Sequence, residues 1–237
     1  MEIEWKIAYL YIIYGIIMLI AYMLTKIYYL AIISEFIFIF IYFYHSLKYK
    51  GKIYTVKFFL ISYFISFIIE IIGVNTGIPF GNYYYTDILG KKFLGVPLAI
   101  PFLWSSLLYF TSIAGNFNIY KSSALMLFLD LSFDPRFSMH LWHWVNTGIY
   151  FGVPLTNFFG WFISSLIIFL ILNKALKFNK NYDLNGVIFY FLLGIFQGIE
   201  DYTVALYYLS YISFAMFIII FYFMYKNYIN NKNFNNK

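Results

Sequence analysis

Residues 5–24 read WKIAYLYIIYGIIMLIAYML, with a single charge at Lys6. A helix rising 1.5 Å per residue covers about 30 Å in twenty residues, the thickness of a bilayer's hydrocarbon core. No small-residue cleavage site follows, so the stretch reads as a retained first helix rather than a removed signal peptide. Comparable apolar runs recur at about 27–47, 54–72, 97–114, 121–134, 159–176, 186–206 and 208–226. Hydrophobic residues make up 63% of the 237 and charged residues 11%, with a mean hydropathy of +0.76. A soluble domain of this size cannot hide that much apolar surface. The expected fold is therefore all-α: a polytopic transmembrane bundle of about eight spans, forming one domain over 1–226. A polar, disordered tail is expected at 227–237. Seven spans result if the last two runs merge, since no strong turn signal separates them near Tyr207–Ser210.

Charge decides between these topologies. With eight spans, one side carries Lys6, Lys48, Lys50, Lys52, Lys57, Lys121, Lys174, Lys177, Lys180, Lys226, Lys232 and Lys237. The other carries Lys26, Lys91, Lys92 and Arg136. This lopsided split satisfies the positive-inside rule, and merging the last two spans nearly erases it. Eight spans in the cell membrane, with both termini cytoplasmic, is the expectation. The net charge of +6 then serves topology and gives no reason to expect a nucleic-acid partner. The chain has no cysteine, which excludes disulfides, thiolate metal sites and cysteine nucleophiles. Three histidines are too few for the histidine-rich di-iron sites of membrane hydroxylases. Neither a GxGxxG nor a GxSxG motif is present, so flavin, nicotinamide and serine-nucleophile chemistry have no visible home.

Two loops on the non-cytoplasmic side are too long and too rich in glycine and aromatics to be plain connectors. They are 73–96, GVNTGIPFGNYYYTDILGKKFLGV, and 135–158, PRFSMHLWHWVNTGIYFGVPLTNF. Gly95-Val96-Pro97-Leu98 precedes Trp104 at the spacing with which Gly152-Val153-Pro154-Leu155 precedes Trp161. A Gly-x-Tyr precedes each, at Gly81/Tyr83 and Gly148/Tyr150. The pattern implies a duplicated helix–loop–helix unit, about 54–114 and 121–176. Internal repeats of this kind place the working site at their interface. Gly194-x-x-x-Gly198 reads as close helix packing.

Carboxylates inside a bilayer are functional candidates by default. Glu35 lies mid-span. Glu70, Asp130, Asp134, Glu200 and Asp201 gather toward the non-cytoplasmic ends of their spans, beside both loops. Asp87 reads as a solvated turn residue, and Asp134, preceding Pro135, as the place where its helix stops. Asp130 and Asp134 are four apart and share a helix face. Such a pair serves as a general acid with its partner, or as half of a divalent-cation site if Glu200 and Asp201 join it. His140 and His143 read as interfacial residues flanking Trp142 and Trp144. A carboxylic acid in an apolar, aromatic cleft suits protonation of an isoprenoid double bond, because aromatic faces stabilise the resulting cation.

The run Glu70-x-x-Gly73-Val74-x-Thr76-Gly77-x-Pro79-Phe80-Gly81-x-Tyr83-x-Tyr85, then Gly95-Val96-Pro97 and Trp104, resembles the membrane family of carotenoid-biosynthesis proteins that includes carotenoid hydratases. Asp130-x-x-x-Asp134-Pro135, Trp142-x-Trp144, Gly148-x-Tyr150-x-Gly152-Val153-Pro154 and Asn157-Phe158-x-Gly160-Trp161 continue the match, which covers roughly 60–165. The resemblance implies cofactor-free hydration of a terminal C=C bond in an acyclic carotenoid. Glu70, Asp130 and Asp134 would be its acid, base or water-positioning groups, with Glu200 and Asp201 behind them. Tyr83, Tyr85, Trp104, Trp142, Trp144, Tyr150 and Trp161 would form an aromatic wall, with Asn157 orienting water or a carboxylate. The implied partners are a carotenoid or other long isoprenoid, the lipid bilayer and other enzymes of the pathway. Three alternatives use the same residues: an intramembrane prenyltransferase holding magnesium diphosphate, a cyclase that shares the initial protonation, and a non-enzymatic polyisoprenoid carrier.

Overall fold

The computed structural model describes residues 2–25, 29–179 and 181–235, with the side chains of 29–32, 35 and 231–235 outside that description. The Glu35 side chain therefore lies outside the described residues, as do Lys26, Lys180 and Lys237 and the side chain of Lys232. Among the described residues, eight α-helices occupy the eight apolar runs: α1 (Ile3–Thr25), α2 (Tyr29–Tyr49), α3 (Lys52–Thr76), α4 (Ile100–Ala114), α5 (Ile119–Phe137), α6 (Leu155–Leu176), α7 (Leu184–Thr203) and α8 (Tyr207–Asn235). Helix α8 runs through most of the stretch read as a disordered tail. Helices α1, α3, α6 and α8 are each long and apolar enough to cross a membrane. Their outward faces carry large apolar side chains, among them Ile13, Phe64, Ile68, Phe159 and Phe223, each more than half exposed. That pattern suits a surface solvated by lipid.

Helix α4 is the hub, buried along nearly its whole length and packed against α2, α3, α5 and α7. It is also short, at 15 residues. Its Ser105, Ser106 and Thr111 hydroxyls donate back to the carbonyls of Pro101, Phe102 and Leu107, so polar groups enter the core already satisfied. The boundary between α7 and α8 falls at Val204–Leu206, where Ala205 adopts φ 65°. A left-handed turn made with alanine in place of glycine leaves no turn signal in the sequence. Phe217 and Phe214 of α8 lie directly on Gly194 and Gly198 of α7, so that glycine pair serves packing.

The loops between α3 and α4 and between α5 and α6 fold into small β elements. Strand β1 (Tyr83–Tyr85) pairs antiparallel with β4 (Trp142–Trp144), joining the two loops. Strand β2 (Lys92–Phe93) pairs with β3 (Val96–Pro97) across a tight turn. That turn has Leu94 at φ 49° and Gly95 at φ 87°; Phe151 and Gly152 repeat it at 47° and 87°. Two successive positive-φ residues are what a two-residue hairpin turn demands, which gives the glycine of each Gly-Val-Pro its reason. Phe93 faces Val96 as Tyr150 faces Val153. Tyr150 is thus the spatial counterpart of Phe93, not of Tyr83 as the Gly-x-Tyr spacing suggested.

A paired-acid, aromatic candidate site

Glu70 sits on the last two turns of α3, buried at 4% exposure. Its Oε2 accepts from the hydroxyls of Tyr83 at 2.5 Å and Tyr85 at 2.8 Å, and its Oε1 from Trp104 Nε1 at 2.8 Å. Alternation along β1 aims Tyr83 and Tyr85 at the same face, since residues two apart in a strand point together. Burial first, and the negative charge of Glu70 second, push both phenols well above the ordinary tyrosine range. They remain donors under any physiological condition.

Asp134 receives a parallel set. Trp142 Nε1 and Trp144 Nε1, two apart on β4, donate to its Oδ1 at 3.3 and 3.1 Å. Asn157 of α6 donates from one Nδ2 to Asp134 Oδ2 at 2.9 Å and to Asp130 Oδ2 at 2.8 Å. The two aspartates do share a face, tied together by one amide. Among the described residues Asp130 Oδ1 finds no hydrogen-bond partner, and the side chain is wholly buried.

Glu70 and Asp134 open onto one narrow cavity of about 30 Å³, room for about one water. Its walls are aromatic: Tyr83, Tyr85, Trp104, Trp142, Trp144 and Trp161, with Phe80, which the motif contained without a site role, and Phe133, which the sequence did not single out. Trp104 and Trp161, the two tryptophans of the recurring motif, stack at 4.1 Å with planes 15° apart. Phe80 is wedged between helices, and a Cβ on Gly73 or Gly160 would strike its ring at 2.7 or 2.6 Å. The glycine at 73 also leaves the Tyr83 hydroxyl its path to Glu70, since an added Cβ would lie 2.9 Å from that oxygen.

The remaining candidates lie elsewhere. Helix α5 does not stop at Asp134 but continues through Pro135 to Phe137. Proline has no N–H to give the carbonyl four residues back, that of Leu131. The Tyr150 hydroxyl donates to Leu131 O at 3.1 Å, so Tyr150 satisfies the carbonyl freed by the proline and is not among the cavity's lining residues. Glu200 and Asp201 face Arg136, whose Nη1 is 2.8 Å from Glu200 Oε2 and 3.6 Å from Asp201 Oδ1. Arg136 also bonds the Gln197 side chain, and Asp201 accepts from Ser213 at 3.3 Å. Helix α7 does pack on α5, yet it delivers these two acids to the arginine, not to Asp130 and Asp134. Among the described residues no three His, Cys, Asp or Glu side chains group closely enough to hold a metal ion. Asp87 is fully exposed and ion-paired with Lys92 at 2.7 Å, which holds its carboxyl below the ordinary range. His143 bonds the Ser138 carbonyl at 3.1 Å, and His45 bonds Tyr109 in the opposite half of the bundle.

An all-α bundle of membrane type, with two carboxyl groups ringed by tyrosine and tryptophan donors, defines the class. The chain belongs to the carotenoid biosynthesis protein family, whose model matches residues 10–229. One curated relative, bisanhydrobacterioruberin hydratase of Haloarcula japonica, is 29% identical over 135 residues, covering 52% of this chain and 44% of the relative. The match thus spans less than half of that relative's length. No solved structure matches the chain.

Proposed function

We propose that the protein hydrates a terminal isoprenoid C=C bond of an acyclic carotenoid, using its own carboxyl groups and no cofactor. The observation that carries this reading is the shared cavity, which Glu70 and Asp134 line together with the aromatic rings. A carboxylic acid of the Asp130–Asp134 pair gives its proton to the CH carbon of the double bond, next to the terminal carbon that bears the two methyl groups. The π electrons form the new C–H bond, leaving a tertiary carbocation and a carboxylate. Water adds to the cation through its oxygen, and the oxonium returns one proton to a carboxylate. The net change is C=C plus water to alcohol, with the acid regenerated.

Several features support these roles. Two carboxyl groups held by a single amide resist carrying two charges at once, so the pair suits storage of one proton. Glu70 is surrounded by three donors and suits the complementary task of balancing the cation and orienting water. The faces of Trp104, Trp161, Trp142 and Trp144 suit a passing cation. The matching hairpins and matching strand donors support reading the α3–α4 and α5–α6 units as a duplication with the site at their junction. The prenyltransferase alternative is less well served, because Arg136 and Lys92 are committed to Glu200 and Asp87 rather than turned to a diphosphate.

Expression in a lycopene-producing host tests the reading. The pigment should gain the mass of one water with the wild type, and Glu70→Gln or Asp134→Asn should lower that yield at least 100-fold at equal protein level. Amide variants that hydrate at the wild-type rate would show the acids to be helix glue, as a carrier protein requires.

A further inference from the structure

A second pocket of about 30 Å³ adjoins the acid cavity and presents no polar surface. Its outer wall is Phe36 and Ile39 of α2, Leu89 of the loop and Ala99 before α4. Its inner wall includes Ile100, Leu103 and Trp142, which also line the acid cavity, so these three side chains are the partition between the two spaces. Phe36 is 45% exposed on the outside of the bundle, so the pocket lies at the lipid-facing surface. A third void adjoins the acid cavity through Leu103 and Phe133, but it includes the polar Gln197 in its lining, and its Tyr11, Phe38, Leu107 and Leu129 are each no more than 7% exposed.

We propose that the pocket between α2 and the start of α4 is a lateral doorway through which an apolar isoprenoid end group passes from the bilayer to the acids. The proposal rests on the reading of the cavity as an isoprenoid site and adds the route and its gate. A water-insoluble polyene is already in the bilayer and gains nothing from an aqueous path. An entrance without polar groups lets it slide in without stripping water from anything. Of the partition, Trp142 is held by its bond to Asp134, whereas Leu103 and Ile100 are aliphatic and open the way by a change of rotamer. Rotamer changes are among the fast motions of a protein. Leu103 touches all three spaces and is the gate residue.

The test uses full-length protein purified from polyene-producing cells, with bound pigment per protein read by absorbance and hydrated product measured separately. Ala99→Phe and Leu89→Trp each fill the doorway and should lower both readings tenfold or more. Phe40→Ala, on the lipid face of α2 outside the pocket, should leave both within twofold. Leu89 lies on a loop, so that variant decides the matter alone if Ala99→Phe does not fold. Doorway variants that keep pigment and product within twofold of wild type overturn the proposal. A wild type that retains pigment, loses it in the doorway variants and adds no water upholds the doorway while overturning the hydration reading.

Discussion

Tyr83 and Tyr85 show how single side chains gain their character from burial. Each is a phenol with an ordinary pKa near 10.0, raised in the folded protein by desolvation and by Glu70. The folded state therefore holds these protons at pH values where the unfolded chain has released them. Their contribution to stability is complete below pH 10 and shrinks as pH rises from there toward the folded values. Tyr83→Phe should make the alkaline fall in unfolding free energy shallower by about 1.4 kcal/mol per pH unit above pH 10. Unfolding curves in detergent at several alkaline pH values would measure it, and equal slopes for variant and wild type would refute it. That acids lie in the spans was legible from the sequence, because a carboxylate in an apolar run is conspicuous. Which donors meet them was not, since Trp104 reaches Glu70 from 34 positions away.

At the scale of elements, Pro135 in the last turn of α5 is the instructive case. Read locally, a proline after Asp134 ends a helix. The helix persists because the Leu131 carbonyl, left without its N–H, is met by Tyr150 from the next loop. Tyr150→Phe should cost about 1–2 kcal/mol of stability, the penalty for a polar group left unpaired, while hydration changes less than threefold. Thermal unfolding and product yield, measured side by side, would separate this supporting role from substrate contact. A collapse of yield without loss of stability would return Tyr150 to the substrate wall. The strands β1 and β4 teach the same lesson from the other side. Three-residue strands carry almost no periodic signal, and they exist here because pairing the two loops satisfies backbone groups above the cavity.

Across the whole molecule, the acids segregate into two clusters with different work. Glu70 and Asp134 line the cavity, with Asp130 tied to Asp134 through Asn157, while Glu200 and Asp201 neutralise Arg136 between α5 and α7. Removing only the arginine should leave two buried acids without their cation. Arg136→Met is expected to destabilise the protein by about 3–5 kcal/mol. Glu200→Gln should leave the yield of hydrated pigment within a fewfold of wild type. A hundredfold loss of yield in Glu200→Gln, at normal stability, would move that acid into the reacting site.

By itself the sequence determined the membrane class, the positions of the helices to within a few residues except for the end of α8, and the two loops beside the candidate site. Those properties come from local composition, since an apolar run of bilayer length has few alternatives to a helix. The partition of the acids, the role of Tyr150 and the apolar doorway beside Leu103 were decided only by tertiary structure. Each depends on which faces of α2, α4, α5 and α7 meet, and in chains this uniformly apolar no periodic pattern marks one face from another.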